Sequence, residues 1–167
     1  MSEERQHHEF GCSKWPDLMR CADYQATGGS SPAAERGTRI HKYWELLGTG
    51  EAIDGDADPE EVAHAAWAVG QIDELSQGSK VEWERRIDCK EPEYFGYLDA
   101  CWHENPETIV ICDGKSGQGN DEQWIQLVGY AHALMLENES IKQAKLHFIY
   151  WDRREIKSYE FSRDAVL

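Results

Sequence analysis

The run Thr108-Ile-Val-Ile-Cys112 carries four consecutive apolar residues, and Asp113-Gly114-Lys115 follows it without a break. A strand with one face in water alternates apolar and polar residues, so an unbroken run of this kind belongs at the centre of a sheet covered on both faces. Suitable neighbours surround it. Val81 to Cys89 and Tyr94 to His103 are β-branched and aromatic runs separated by turn residues. Lys145 to Trp151 and Ile156 to Phe161 close as a hairpin over Asp152-Arg-Arg-Glu155.

Helical periodicity supplies the covering layers. Lys14 to Tyr24 reads as a short amphipathic helix with Trp15, Leu18, Met19 and Ala22 on one stripe, followed by a loop over residues 27–32. A second helix is predicted from Ala33 to Leu47, with Ile40, Tyr43, Trp44 and Leu47 inward and Gly48 as its stop. Asp58-Pro59-Glu60-Glu61 forms a helix start, with an Asp cap and Pro in the first turn. That helix is expected to turn Val62, Ala66, Val69, Ile72 and Leu75 inward and to stop at Gly78. A further helix, capped by Asn120 or Asp121, runs to about Leu136 with Trp124, Leu127, Val128, Ala131 and Met135 buried. The order is helices, three strands, a helix and two strands. It describes one α/β domain over residues 12–167, behind a flexible tail at 1–11.

At 167 residues the chain suits one domain with a real core, which seven Trp and seven Tyr help to anchor. No stretch approaches the roughly 20 apolar residues of a membrane span, and the polar N-terminus is unlike a secretory signal. A cytoplasmic protein with no membrane partner is expected. The five cysteines (Cys12, Cys21, Cys89, Cys101, Cys112) contain no CxxC pair, so they read as reduced core residues rather than a disulfide or zinc framework. The net charge of −15 argues against a nucleic-acid partner, because DNA affinity normally comes from cations that neutralise phosphates. A bound divalent cation, however, inverts the local sign of a carboxylate cluster.

The loop centred on Asn105-Pro106 makes residue numbers across the two middle strands sum to about 211 or 212. A sum of 212 places Asp99 beside Asp113 on one face, and a one-residue slip separates them. Lys115 shares the face of Asp113. Two carboxylates and an ammonium at the end of a buried strand are costly without partners, and a divalent cation would satisfy both aspartates. Taken alone, Asp-x-Lys is equally a turn cap followed by a solvated strand end. Two helical pairs at i, i+4 spacing stand nearby in chain order: His41 with Glu45, and Gln126 with Tyr130. As isolated pairs, each is commonly a surface or core feature.

Taken together, Gly37-Thr-Arg-Ile-His41-Lys-Tyr-Trp-Glu45, Gly96-Tyr-Leu-Asp99, Asp113-Gly-Lys-Ser-Gly117 and Gln126-Leu-Val-Gly-Tyr130 resemble the motifs of the PD-(D/E)XK nuclease superfamily. The resemblance is to its RecB-like and Cas4-like exonuclease branch and spans about Cys12 to Phe161. It implies a restriction-endonuclease-like αβββαβ core with a mixed central sheet flanked by helices. It further implies Mg²⁺ or Mn²⁺ held by His41, Asp99, Asp113 and the Gly114 carbonyl, with Glu45 supporting His41. Asp99, Asp113, Lys115, Gln126 and Tyr130 would form the catalytic set, Lys115 acting on the attacking water and Gln126 and Tyr130 orienting Lys115 or the DNA backbone. Cysteine clusters of iron–sulfur members lie C-terminal to the catalytic motifs, whereas no cysteine here follows Cys112, so no such cluster is expected. Glu84 reads as a solvated strand residue. The implied activity is metal-dependent DNA hydrolysis in phage or bacterial recombination, repair or processing, with DNA and a recombination or single-strand-annealing protein as partners. Two alternatives stay open: a catalytically silent nuclease-fold module, and a metal-dependent hydrolase of another substrate.

Overall fold

The computed structural model describes residues 14–15, 31–117 and 123–167. The expected tail at 1–11, the helix from Lys14 to Tyr24 beyond Trp15, Cys12, Cys21, residues 27–30 and the cap at Asn120 or Asp121 lie outside the described residues. The elements in order are α1 (Pro32–Thr49), α2 (Pro59–Ser76), β1 (Glu82–Lys90), β2 (Glu93–Asn105), β3 (Thr108–Lys115), α3 (Trp124–Glu137), β4 (Gln143–Tyr150), β5 (Glu155–Ser162) and the short α4 (Arg163–Val166). The strands form one mixed sheet in the order β1-β2-β3-β4-β5. β3 and β4 are parallel, and the other neighbours are antiparallel. β3 is central and buried along its length until Lys115, as its unbroken apolar run requires.

Helices cover both faces. α1 and α2 pack Ile40, Trp44, Ala65, Ala68 and Ile72 against Ala100, Trp102, Val110 and Trp151. α3 lays Leu127, Tyr130, Ala131 and Leu134 over Leu98, Ile109, Ile111 and Phe148. The helix starts are built as the sequence indicates: Ser31 Oγ accepts from Ala34 N at 3.2 Å, and Asp58 Oδ1 accepts from Glu60 N at 2.8 Å. Cys89, Cys101 and Cys112 are free and buried. Burial pushes the Cys101 thiol up to about 12, so it is a core residue rather than a nucleophile. Among the described residues, no helix is long and apolar enough to cross a membrane.

Two expectations need correction. Gly48 does not end α1; the helix runs on to Gly50, whose φ of 76° provides the left-handed cap. Gly48 is instead a packing residue, because a Cβ there would lie 2.6 Å from the Trp83 ring. In α2 the inward stripe is Ala65, Ala68 and Ile72, while Ala66 faces solvent. Glu61 explains the rotation. Its side chain is buried and takes a bidentate grip from Arg39 of α1 (Nε to Oε2, 2.9 Å), which also holds its carboxyl below the usual range.

The sheet contains a paired break in its alternation. Trp83 lies on the α1/α2 face and Arg85 reaches Glu137 of α3, although they are two residues apart. Directly across, Leu98 packs with α3 and Ala100 with α1 and α2. Both strands therefore change phase at one level, between the pairs Trp83↔Ala100 and Arg85↔Leu98, where the ladder omits Glu84 and Asp99. Glu84 has the left-handed φ of 49° that such a break demands.

Gly48→Ala offers a clean test of this packing. Helix propensity alone favours Ala by about 1 kcal/mol. Contact with Trp83 is expected to reverse that sign and cost roughly 1–3 kcal/mol net, read by urea denaturation.

Candidate active site

β3 ends in the residues on which the chemistry depends. The β2–β3 register pairs Ala100 with Cys112, the sum of 212 that puts Asp99 level with Asp113. The two aspartates are not a regular cross-strand pair, however. Ladder bonding stops at Ala100↔Cys112, and at the phase change Asp99 Oδ2 reaches across to accept from Gly114 N at 2.7 Å. A carboxylate thus replaces a strand-to-strand bond. In a strand, one residue's N–H and C=O leave by the same edge, as pairs that exchange both bonds require. The Gly114 carbonyl therefore also faces the gap beside Asp99.

Gly114 has no room for a side chain. A Cβ there would meet Trp151 at 2.3 Å and Trp44 at 2.4 Å. Those indoles also frame His41, which lies 4.8 Å edge-on from Trp151 and stacks on Trp44. His41 Nδ1 is 3.6 Å from Asp99 Oδ2. Glu45, expected behind His41, holds Lys42 Nζ at 3.0 Å.

On the α3 face, Asp113 is 4% exposed. Gln126 Nε2 donates to Asp113 Oδ1 at 2.9 Å, and Gln126 Oε1 accepts from Lys115 Nζ at 3.1 Å. The reverse amide orientation would set NH₂ against ammonium and carbonyl against carboxylate, so the two ions fix it. Gln126 Nε2 also lies 3.4 Å from the Tyr130 hydroxyl. The Tyr130 ring occupies the space that Gly96 leaves open, since a Cβ there would be 2.7 Å from it. Lys115 Nζ lies 2.6 Å from Asp113 Oδ2, close enough to pair but off the line of a hydrogen bond, and that oxygen is a buried acceptor without a hydrogen-bond donor. Burial pushes the Asp113 carboxyl up to about 6 despite Lys115. Burial works to lower the Lys115 pKa too, but the neighbouring aspartates outweigh it and hold the ammonium above its ordinary value.

All the expected site residues except Glu45 are thereby linked, through Gly114 and Gln126, around the end of β3. The donors able to hold a hard cation are the two carboxylates, the Gly114 carbonyl and the His41 imidazole. Asp113 Oδ2, which has the Lys115 ammonium beside it but no hydrogen-bond donor, would share its charge between that ammonium and such a cation. Among the described residues, however, no three His, Cys, Asp or Glu side chains converge into a ready-made cage. The side chains stand as two pairs, His41–Asp99 and Lys115–Asp113.

Asp152 escaped the sequence reading. It lies in the β4–β5 turn, where it passed for a turn former. Its Oδ1 takes Arg36 of α1 at 2.7 Å, and its Oδ2 accepts from Gly117 N at 3.0 Å, tying the segment beyond Lys115 to the helix that carries His41. Only contacts between elements distant in sequence reveal that role.

No family profile and no curated protein matches the chain. A solved structure, that of a protein called SSO0001, aligns over 90% of this chain and 75% of its own, at 17% identity and a TM-score of 0.36. A similarity that low carries no weight for fold or activity.

The folded protein holds the Asp113 proton more tightly than the unfolded chain does. It therefore binds more protons between about pH 4 and 6, and stability falls as pH rises through that window. Relative to Asp113→Asn, the wild type without divalent cation should lose on the order of 2–3 kcal/mol between pH 4 and 7. Denaturant titrations across that range read the difference directly. A difference that does not change with pH would contradict the buried-carboxylate assignment.

Proposed function

We propose that this chain is a Mg²⁺- or Mn²⁺-dependent DNA nuclease with a restriction-endonuclease-like αβββαβ core, acting in the cytoplasm on phosphodiester bonds. The observation that carries the reading is the Gln126 amide, which bridges Lys115 and Asp113 at the end of a buried strand. A buried ion pair needs further hydrogen bonds, and here a single amide supplies one to each charge and so fixes how the two stand to each other. The four sequence motifs that resemble the PD-(D/E)XK superfamily supply His41, Asp99, the Asp113–Lys115 segment, and Gln126 with Tyr130, all on elements that meet at this corner.

A divalent cation held by Asp99, Asp113, the Gly114 carbonyl and His41 would lower the pKa of a bound water and polarise the scissile phosphate. The chain's own groups do the rest. Asp99, by accepting from Gly114 N, holds that edge of residue 114 toward the gap, the edge from which its own carbonyl also leaves. Gln126 holds Lys115 Nζ beside Asp113, where the ammonium would orient the attacking water and steady charge on the phosphate. Tyr130, locked over Gly96, fixes the Gln126 amide in turn. Trp44 and Trp151 keep His41 in place and water away from the α1 side.

The −15 charge favours one competing reading, a metal-dependent hydrolase of a substrate other than DNA. Digestion separates the two. Linear DNA should be degraded in Mg²⁺ or Mn²⁺ and spared in EDTA. Lys115→Ala should slow cleavage by roughly 10²–10⁴-fold and Asp113→Ala should abolish it, with far-UV circular dichroism unchanged. A wild type that cleaves no DNA with either cation would sink the nuclease reading.

A further inference from the structure

A chain this acidic that acts on DNA needs a local path of cations, and one corner of the structure supplies it. Lys115 lies opposite Tyr150 across β3 and β4, and Phe148 opposite Lys157 across β4 and β5. Residues directly opposite share a face, as do residues two apart, so Lys115 and Lys157 stand on the same α3 face with two aromatic rings between them. Lys115 Nζ is 6.0 Å from the Phe148 ring centre, and Lys157 Nζ is 5.7 Å from that of Tyr150. The Arg153 guanidinium covers the Tyr150 ring at 4.2 Å. Arg154 follows at the exposed hairpin tip.

Arg39, Arg85, Arg86 and Lys145 are tied to Glu61, Glu137, Asp88 and Glu104, whereas Lys80, Lys90, Lys142 and Arg163 show no acidic partner among the described residues. The cations beside Lys115 divide in the same way. Arg153 has Glu155 at 3.5 Å, and Asp152 is taken by Arg36 and Gly117. Lys157 and Arg154 have no acidic partner among the described residues. Arg154 also has a φ of 52°, a left-handed conformation that glycine adopts freely and a long side chain does not.

From this geometry we infer that the β4–β5 tip is a phosphate rail, on which Arg153, Arg154 and Lys157 carry the DNA backbone away from Lys115. The inference rests on the nuclease reading and names the surface that positions its substrate. Lys157 lies two strands across from Lys115 and two residues along, about 12 Å away. The contacts are to phosphates, so they give affinity and direction without sequence preference.

Arg154→Gly separates this role from the fold, because it relieves the strained φ while removing the charge. It should melt no lower than the wild type, yet bind a fluorescent DNA oligonucleotide more weakly. With Ca²⁺ in the buffer and anisotropy as the readout, the slope of log K against log salt should flatten by about 0.7–0.9. Arg153→Gln combined with Lys157→Gln should flatten it by about twice that. In cleavage assays all these variants should raise KM and leave kcat at saturating DNA unchanged, and Arg154→Lys should restore binding. If the wild type binds DNA with the expected salt slope and both variants match it, the rail is overturned and the nuclease reading stands. If the wild type neither binds nor cleaves DNA, the nuclease reading itself falls and takes the rail with it.

Discussion

Asp113 is a carboxyl group at the end of a central strand, sealed from water by α3 on one side and by neighbouring strands on the other. Burying such a group costs several kcal/mol unless its charge is met. The surroundings meet it in part. Gln126 satisfies one oxygen, Lys115 approaches the other without a proper hydrogen bond, and burial still pushes the carboxyl up to about 6. A fold selected for stability alone would place an apolar residue here and extend the run that precedes it. Partial compensation suits a site where a second positive charge is to be received.

The same corner depends on a departure from regular sheet geometry. β1 and β2 both change phase at Glu84 and Asp99, which frees the Asp99 side chain from either face and lets it cap Gly114 within the plane of the sheet. The break costs a left-handed residue at Glu84 and the loss of ladder bonding beyond Ala100↔Cys112. It yields a gap between β2 and β3 that a carboxylate oxygen and a peptide carbonyl both face. Glycine shapes the surroundings twice, at Gly114 for the two indoles and at Gly96 for Tyr130.

Much of this was legible in the chain. The apolar run 109–112 placed β3 at the centre, and the Asn105-Pro106 turn narrowed the register to two sums, one of which, 212, is found and sets Asp99 level with Asp113. Three features were not legible, for physical reasons. The phase change at Glu84 arises from two strands accommodating each other, and neither strand shows it alone. The turn of α2 toward Ala65 and Ala68 follows from the Arg39–Glu61 pair between helices, whereas periodicity weighs only apolar residues. Asp152 in a hairpin turn looks like any turn aspartate until Arg36 and Gly117 are seen to converge on it.

The negative charge of the chain also becomes intelligible once it is divided by place. Acids dominate the chain as a whole, while Arg153 and Lys157 stand beside Lys115 around the Tyr150 and Phe148 rings. Everything catalytic in the proposed function depends on one event, the capture of a hard divalent cation between β2 and β3. Mn²⁺ titration followed by the loss of the free-ion electron paramagnetic resonance signal measures that capture without any substrate. The wild type should take up Mn²⁺, and Asp99→Asn and Asp113→Asn, each nearly isosteric, should lose that uptake while remaining folded. Uptake that is absent from the wild type, or unchanged in both variants, would contradict the assignment of this corner as a metal-dependent active site.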